Sequence, residues 1–142
     1  MSIQVLYTTS STATGGGRDG RVKSDDGRID MQTRPPKEMG GSGEGTNPEQ
    51  LFAAGYAGCF LSALRLVAGS AKVKLDDRTS VSVEVGLGKD SAGGFGLTAK
   101  VAGYLPGLEH SVAEDLVHKA HQVCPYSKAT RGNVDVDVSA SV

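Results

Sequence analysis

Apolar positions along this chain follow two periods in turn. Ile3, Val5 and Tyr7 are interleaved with Gln4, Leu6 and Thr8, a rough period of two that predicts a strand. The run Thr14-Gly15-Gly16-Gly17-Arg18-Asp19-Gly20 breaks that pattern and predicts a loop with an arginine set among glycines. Val22 on one side and Ile29 and Met31 on the other flank Asp25-Asp26-Gly27, a hairpin signal. Residues 35–46, from Pro35-Pro36 to Gly45-Thr46, predict a long loop.

The period then changes to that of a helix. Asn47 suits the N-cap, Pro48 the first helical position, and Gln50 is placed to reach back as in a capping box. From Leu51 to Ala68 nearly every face is apolar or small, which predicts a central helix covered on all sides. Gly55, Ala57 and Gly58 leave room for another backbone, and Gly69-Ser70 end the run. Val81, Val83, Val85 and Leu87 alternate with small or polar residues, Gly88–Gly94 turns, and Phe95, Leu97, Ala99 and Val101 return. After Pro106-Gly107, Ser111 and Glu114 form a second capping-box pattern. Val112, Leu116, Ala120 and Val123 then give one helical face up to Pro125. Val134, Val136, Val138, Ala140 and Val142 alternate with polar residues in a last strand. Strands, helix, hairpin, helix and strand in this order predict an α+β fold on antiparallel sheet.

Composition narrows the function classes. A chain of 142 residues suits one domain, residues 1–142, with a core of its own. Fifteen basic against sixteen acidic residues leave no positive field for nucleic acid. The start of the chain lacks a signal-peptide pattern. The uncharged apolar run Leu51–Leu64 is shorter than the ~20 residues that cross a bilayer. No membrane association and a reducing cytoplasmic setting are therefore expected, where two cysteines remain thiols unless they work. Glycine, at 20 residues, is about twice its usual ~7% and points to many tight turns.

Several chemistries lack their residues. His118, His121 and Cys124 lie on one predicted helix, but His118 points about 120° away from Cys124, and zinc needs three or four converging ligands. No metal and no cofactor are expected. The Gly15–Gly20 run has neither a Gly-Lys-Ser/Thr nor a helix behind it, so it is no phosphate cradle. No Gly-x-Ser-x-Gly elbow is present. Cys59 and Cys124 remain, one in each main helix; their separation in sequence leaves open whether they are buried small hydrophobes or a working thiol pair.

Three separated blocks, in order along the whole chain, carry a family resemblance. They are Thr14-Gly15-Gly16-Gly17-Arg18-Asp19-Gly20; Gly45-Thr46-Asn47-Pro48-Glu49-Gln50-Leu51-Phe52-Ala53-Ala54-Gly55-Tyr56 with Cys59-Phe60; and His121-Gln122-Val123-Cys124-Pro125-Tyr126-Ser127 with Thr130-Arg131-Gly132-Asn133. The chain resembles the OsmC/Ohr family, and Tyr126 after Cys-Pro favours the organic hydroperoxide resistance (Ohr) branch. An additional glycine before Arg18 and Gly58 in place of alanine depart from the family pattern without removing a reactive group. The resemblance implies an OsmC-like fold, antiparallel sheets wrapped around two central helices in an intertwined homodimer. It implies a thiol peroxidase acting on organic hydroperoxides and recycled by a lipoylated protein or another dithiol reductant. By the same resemblance Cys59 matches the peroxidatic cysteine, Cys124 the resolving one, and Arg18 and Glu49 the polar pair that serves the thiolate. A thiol-based redox sensor, or a binding protein without turnover, is the alternative.

The chemistry fits those residue types. A thiol of pKa about 8.5 is only a few per cent thiolate at neutral pH, and burial lowers that fraction. A guanidinium at ~4 Å in an effective dielectric of ~20 attracts the thiolate by about 4 kcal/mol before desolvation, enough to offset moderate burial. Phe52, Tyr56, Phe60 and Leu61 surround Cys59 in sequence and are expected to bind an apolar tail. Glu49 precedes Cys59 by ten residues, about 15 Å along a helix. That separation favours a symmetric dimer in which Arg18 and Glu49 of one chain serve Cys59 of the other, over an arginine loop bent back to its own chain.

Overall fold

In the computed structural model, which describes residues 2–142, the chain divides into two compact units at Leu51/Phe52. The first holds β1 (Ser11–Gly15), β2 (Gly20–Ser24), β3 (Asp30–Thr33) and a single 3-10 turn at Lys37–Met39. Helix α1 (Pro48–Ser70) starts at its end. The second unit takes the rest of α1, then β4 (Ser80–Lys89), β5 (Phe95–Tyr104), α2 (His110–Val123), α3 (Pro125–Thr130) and β6 (Val136–Ser141).

In the first unit the three strands form an antiparallel sheet in the order β1-β2-β3. The Asp25-Asp26-Gly27 turn joins β2 to β3 as expected, with the Asp26 carboxylate accepting from the Ser24 hydroxyl and the Arg28 N–H. The strand expected over Ile3–Thr8 is absent: those residues are not in a strand, and Ile3, Val5, Leu6 and Tyr7 are exposed. Alternation is only half of a strand's requirements. The other half is a ladder partner, and pairing with the β2 side ends where the Asp25 N–H meets Ser10 O, short of residues 3–8.

The start of α1 follows its sequence in part. The Gln50 N–H donates to Asn47 Oδ1 at 2.9 Å, the N-cap bond expected there. The Gln50 side chain does not close a capping box; its Oε1 takes the Thr46 hydroxyl at 3.0 Å. A threonine one residue before the cap competes for the same amide.

The second unit corrects the sheet type. β4 and β5 are antiparallel over ten residues each, but β6 joins β5 in parallel. The chain leaves the end of β5, traverses α2 and α3, and re-enters the sheet at the starting end. A helical crossover of this kind sets strands parallel, whereas a tight hairpin sets them antiparallel.

α1 presents one face to the core rather than all of them. Tyr56, Phe60, Ala63, Leu64 and Ala68 are buried, while Ala54, Gly58 and Ser62 are exposed and Leu66 is 66% exposed. Ala113, Leu116, Val117 and Ala120 of α2, Val101 of β5 and Leu105 complete the cluster. Each large apolar side chain enclosed there contributes about 1.5–3 kcal/mol. The α2 face is thus rotated from the expected one, since Val123 is exposed.

The second capping box is not made either. α2 begins at His110 with Glu109 as N-cap and no side-chain cap bond, which puts Ser111 inside the helix. Glu114 instead accepts the Ala140 N–H of β6 at 3.1 Å and faces His110 and His118 at 3.5 and 3.3 Å. A carboxylate on the outer edge of β6 occupies an N–H that would otherwise be open.

Candidate active site

The two cysteines meet inside the second unit. Cys59 sits on α1, half-buried, and Cys124 is fully buried where α2 ends and α3 begins. Both are free thiols, and the Cys124 S–H donates to Cys59 Sγ at 3.7 Å. The junction that holds Cys124 follows from its sequence. Pro125 cannot continue α2, so Cys124 adopts an extended conformation, φ −64° and ψ 124°, and Pro125 starts α3 at its first position. The Cys124 N–H is tied back to Ala120 O at 2.8 Å and its carbonyl takes the Lys128 N–H at 3.0 Å.

Burial pushes the Cys59 thiol up, the Tyr126 backbone N–H bonded to its sulfur acts downward, and Cys124 adds to the rise. Burial of an anion is opposed by any donor aimed at it, and the peptide N–H after Pro125 is such a donor. Burial thus outweighs the one backbone donor at the Cys59 sulfur.

Arg18 and Glu49 meet inside the first unit. Arg18 Nη2 donates to Glu49 Oε1 at 2.7 Å and Nη1 to Oε2 at 3.0 Å, a two-point fork that fixes the guanidinium plane. The Arg18 side chain is 45% exposed and that of Glu49 16%. The Arg18 fork holds the Glu49 carboxyl below its ordinary range, against the opposing effect of burial. The same bond raises Arg18 further. Glu49 lies in the first turn of α1, where the helix dipole favours an anion.

The loop that carries Arg18 is braced from below by Thr33. Its buried hydroxyl accepts the Gly20 N–H at 2.9 Å and donates to Gly17 O at 2.5 Å. Gly17 has φ 76°, a conformation that other residues avoid. At Gly20 a Cβ would collide with the Thr14 carbonyl. The glycines flanking Arg18 are thus requirements of the turn, and Arg34 adds a 3.4 Å ion pair to Asp19.

Of the four residues expected to bind an apolar tail, Tyr56 and Phe60 are fully enclosed, while Phe52 and Leu61 are half-buried. Phe52, Tyr56 and Tyr126 form an aromatic cluster with centroids 5.8 to 6.4 Å apart. Gly55 is where α1 admits Tyr126: a Cβ there would lie 3.0 Å from the phenol oxygen. Tyr56 OH meets Ser127 Oγ at 2.8 Å, and Ser127 Oγ meets His121 Nδ1 at 2.8 Å. The histidines of α2 therefore turn to different partners, His118 to Glu114 and His121 to Ser127.

Thr33, Tyr126 and Ser127 take part in ways the sequence reading did not assign. Ser127 follows Cys124 by three residues, a spacing that places it back beside the cysteine once Pro125 starts a helix. Thr33 had no such signal, because its bonds close over 13 and 16 residues of chain.

The family described as OsmC-like protein matches residues 41–139. An organic hydroperoxide resistance protein of Xanthomonas axonopodis pv. citri is 50% identical over 137 residues, 96% of this chain and 95% of the relative. The organic hydroperoxide resistance protein OhrB of Bacillus subtilis is 46% identical over 132 residues, 92% of this chain and 95% of the relative. Among solved structures, an organic hydroperoxide resistance protein from Legionella pneumophila superposes with a TM-score of 0.91 at 50% identity, over 98% of this chain and 100% of the other.

Proposed function

Because the chain belongs to the OsmC-like protein family, we propose that it is a thiol-dependent peroxidase that reduces organic hydroperoxides to alcohols, in response to oxidative stress. The observation that carries this reading is the pair of free thiols with sulfurs 3.7 Å apart. Relatives at about half identity that bear the name organic hydroperoxide resistance protein support the substrate class.

The Cys59 thiolate attacks one oxygen of the hydroperoxide, the O–O bond breaks, and the alcohol leaves with a proton. Cys59 becomes a sulfenic acid. The Cys124 sulfur attacks it, water leaves, and a Cys59–Cys124 disulfide forms before a second hydroperoxide can carry the sulfur on to the sulfinic acid. An S–S bond is ~2.05 Å long, so closing from 3.7 Å needs a small approach of one side chain. A dihydrolipoyl-type dithiol, on a lipoylated protein, then exchanges with the disulfide and returns both thiols. No cofactor is involved.

Arg18 supplies the charge that favours the Cys59 thiolate and donates to the peroxide oxygens, with Glu49 holding its fork. Phe52 and Leu61 contact the apolar tail, and Tyr56 and Phe60 form the wall behind them. The working form is an intertwined cytoplasmic homodimer in which Arg18 and Glu49 serve the Cys59 of the other chain. In support, Ile3, Val5, Leu6 and Tyr7 are exposed, and so is Leu66 on α1. These are large apolar side chains of the kind that an interface covers.

The test is turnover of cumene or fatty-acid hydroperoxide by the purified chain with dihydrolipoamide as reductant. Organic hydroperoxides should be consumed catalytically and faster than hydrogen peroxide. Failure with all organic hydroperoxides removes the reading, and a single stoichiometric oxidation without cycling would favour a sensor.

A further inference from the structure

A hydrogen-bonding residue stands three positions before each cysteine: Tyr56 before Cys59 on α1, and His121 of α2 before Cys124 just past that helix's end. Residues at this spacing share a face. The two are joined through one atom, Ser127 Oγ, at 2.8 Å from Tyr56 OH and 2.8 Å from His121 Nδ1. Ser127 itself lies three residues after Cys124 and is fully buried, as is Tyr56.

Counting protons shows how few arrangements this chain of bonds has. The Thr130 hydroxyl donates to Ser127 O at 3.0 Å, so it can only accept at its 3.4 Å contact with Tyr56 OH. With His121 Nδ1 unprotonated, Tyr56 donates to Ser127 and Ser127 donates to His121. The two shorter contacts are then both hydrogen bonds, and the 3.4 Å contact between Tyr56 and Thr130 carries no proton. Around them, Arg131 Nη2 donates to His121 O at 2.7 Å and the Arg131 N–H to Ser127 O at 2.9 Å. One buried hydroxyl thus links the segments on both sides of Cys124 to α1, beside the Tyr126 N–H that bonds Cys59 Sγ.

We propose that Ser127, with Tyr56 and His121, is a positioning network for disulfide formation: it fixes the helix junction bearing Cys124 against the helix bearing Cys59, so that the two sulfurs face each other at bonding approach. Ser127 touches neither sulfur in this role. It raises the effective concentration of one thiol at the other, the contribution that orientation makes to a unimolecular step. Without it the Cys124 junction keeps its fold through the Ala120 and Lys128 backbone bonds, but its register against α1 rests on the Tyr126 contacts alone. The inference rests on the peroxidase reading for its biological meaning and on the thiol pair alone for its chemistry.

The experiment compares the wild-type chain with Ser127→Ala, Tyr56→Phe, the double variant and Ser127→Thr, all purified and reduced. The first readout is the equilibrium with dithiothreitol: protein dithiol and oxidised dithiothreitol exchange to protein disulfide and reduced dithiothreitol, with no peroxide present. Ser127→Ala should lower the disulfide equilibrium constant about tenfold, ~30 mV for this two-electron couple. Tyr56→Phe should lower it as well, and the double variant should be no worse than Ser127→Ala alone, which already removes the bond that Tyr56→Phe breaks. Ser127→Thr restores the hydroxyl and should recover most of the difference. In the second readout, one equivalent of cumene hydroperoxide should oxidise Cys59 in Ser127→Ala at the wild-type rate, while disulfide formation slows about tenfold and sulfinic acid accumulates.

Unchanged equilibrium and disulfide rate in both single variants would overturn the inference, as would fully additive losses. If the wild type consumes no hydroperoxide yet the dithiol equilibrium shifts as stated, the network stands and the peroxidase reading falls. If the wild type turns over and Ser127→Ala closes its disulfide at full speed, the network falls and the peroxidase stands.

Discussion

The guanidinium of Arg18 and the carboxylate of Glu49 form a two-point fork at 2.7 and 3.0 Å, closed over 31 residues of chain. A hydrogen bond to a charged group contributes about 1.5–3 kcal/mol. Glu49→Gln keeps one acceptor and loses the charge, so the guanidinium is free to turn. If Arg18 serves the thiolate as proposed, kcat/KM for organic hydroperoxides should fall by one to two orders of magnitude. Lys in place of Arg18 should not rescue it, since an ammonium cannot reproduce the fork. Steady-state kinetics of Glu49→Gln, Arg18→Ala and Arg18→Lys check this.

The fork also sets an acid limit. Glu49 titrates lower in the folded chain than its ordinary value, so its contribution to stability is complete above the unfolded value of about 4.3. It is lost as pH falls through the lowered folded value. Melting temperatures of wild type and Glu49→Gln should therefore differ at neutral pH and converge as pH falls below the lowered folded value.

His121 acts in the same direction over a higher pH range. Burial, Arg131 and His118 all lower its pKa, so the unfolded chain binds the proton more readily than the folded one. Stability should be highest above about pH 6.5, the unfolded value, fall as pH drops from there to the lowered folded value, and level off below it. Urea midpoints of the wild type against pH, compared with His121→Gln, read this directly. An unchanged slope in the variant would assign it to another group.

The two cysteines should separate cleanly. Cys59→Ser removes the proposed nucleophile, and hydroperoxide consumption should vanish. Cys124→Ser should complete one turnover and then stall, with Cys59 passing to the sulfinic acid under excess peroxide. Mass spectrometry after peroxide treatment distinguishes these outcomes, and the reverse pattern would invert the assignment.

Sharing across chains is decided by mixing. Cys59→Ser and Arg18→Ala proteins should each be inactive, and after confirmed exchange the mixed dimer should regain up to one working site. No recovery would mean that Arg18 serves its own chain.

Gly20→Ala tests the loop that presents Arg18. The added Cβ meets the Thr14 carbonyl, a clash between backbones that no rotamer relieves. A loss of about 1–3 kcal/mol is expected, as for other overpacking, together with lower peroxidase activity. Melting and kinetics measured on the same preparation check both.

Element types were largely legible in the sequence because each reads out a local rule. Asn47 and Pro48 start α1, Asp26-Gly27 turns β2 into β3, and Val81 to Val101 alternate through the β4–β5 hairpin. The three motif blocks, through the resemblance they carry, also singled out Cys59 and Cys124, whose sulfurs meet, and Arg18 and Glu49, whose side chains pair. Tertiary structure decided what depends on partners distant in sequence. Residues 3–8 alternate like a strand but have no ladder beside them, and β6 is parallel because α2 and α3 carry the chain back across the sheet. Gln50 and Glu114 left their expected caps for Thr46 and Ala140, because a side chain with two possible partners takes the one that packing brings nearer. The 3.7 Å between Cys59 and Cys124, 65 residues apart, has the same origin. Periodicity places a thiol on a helix face, and only the packing of α1 against the α2–α3 junction brings two such faces together.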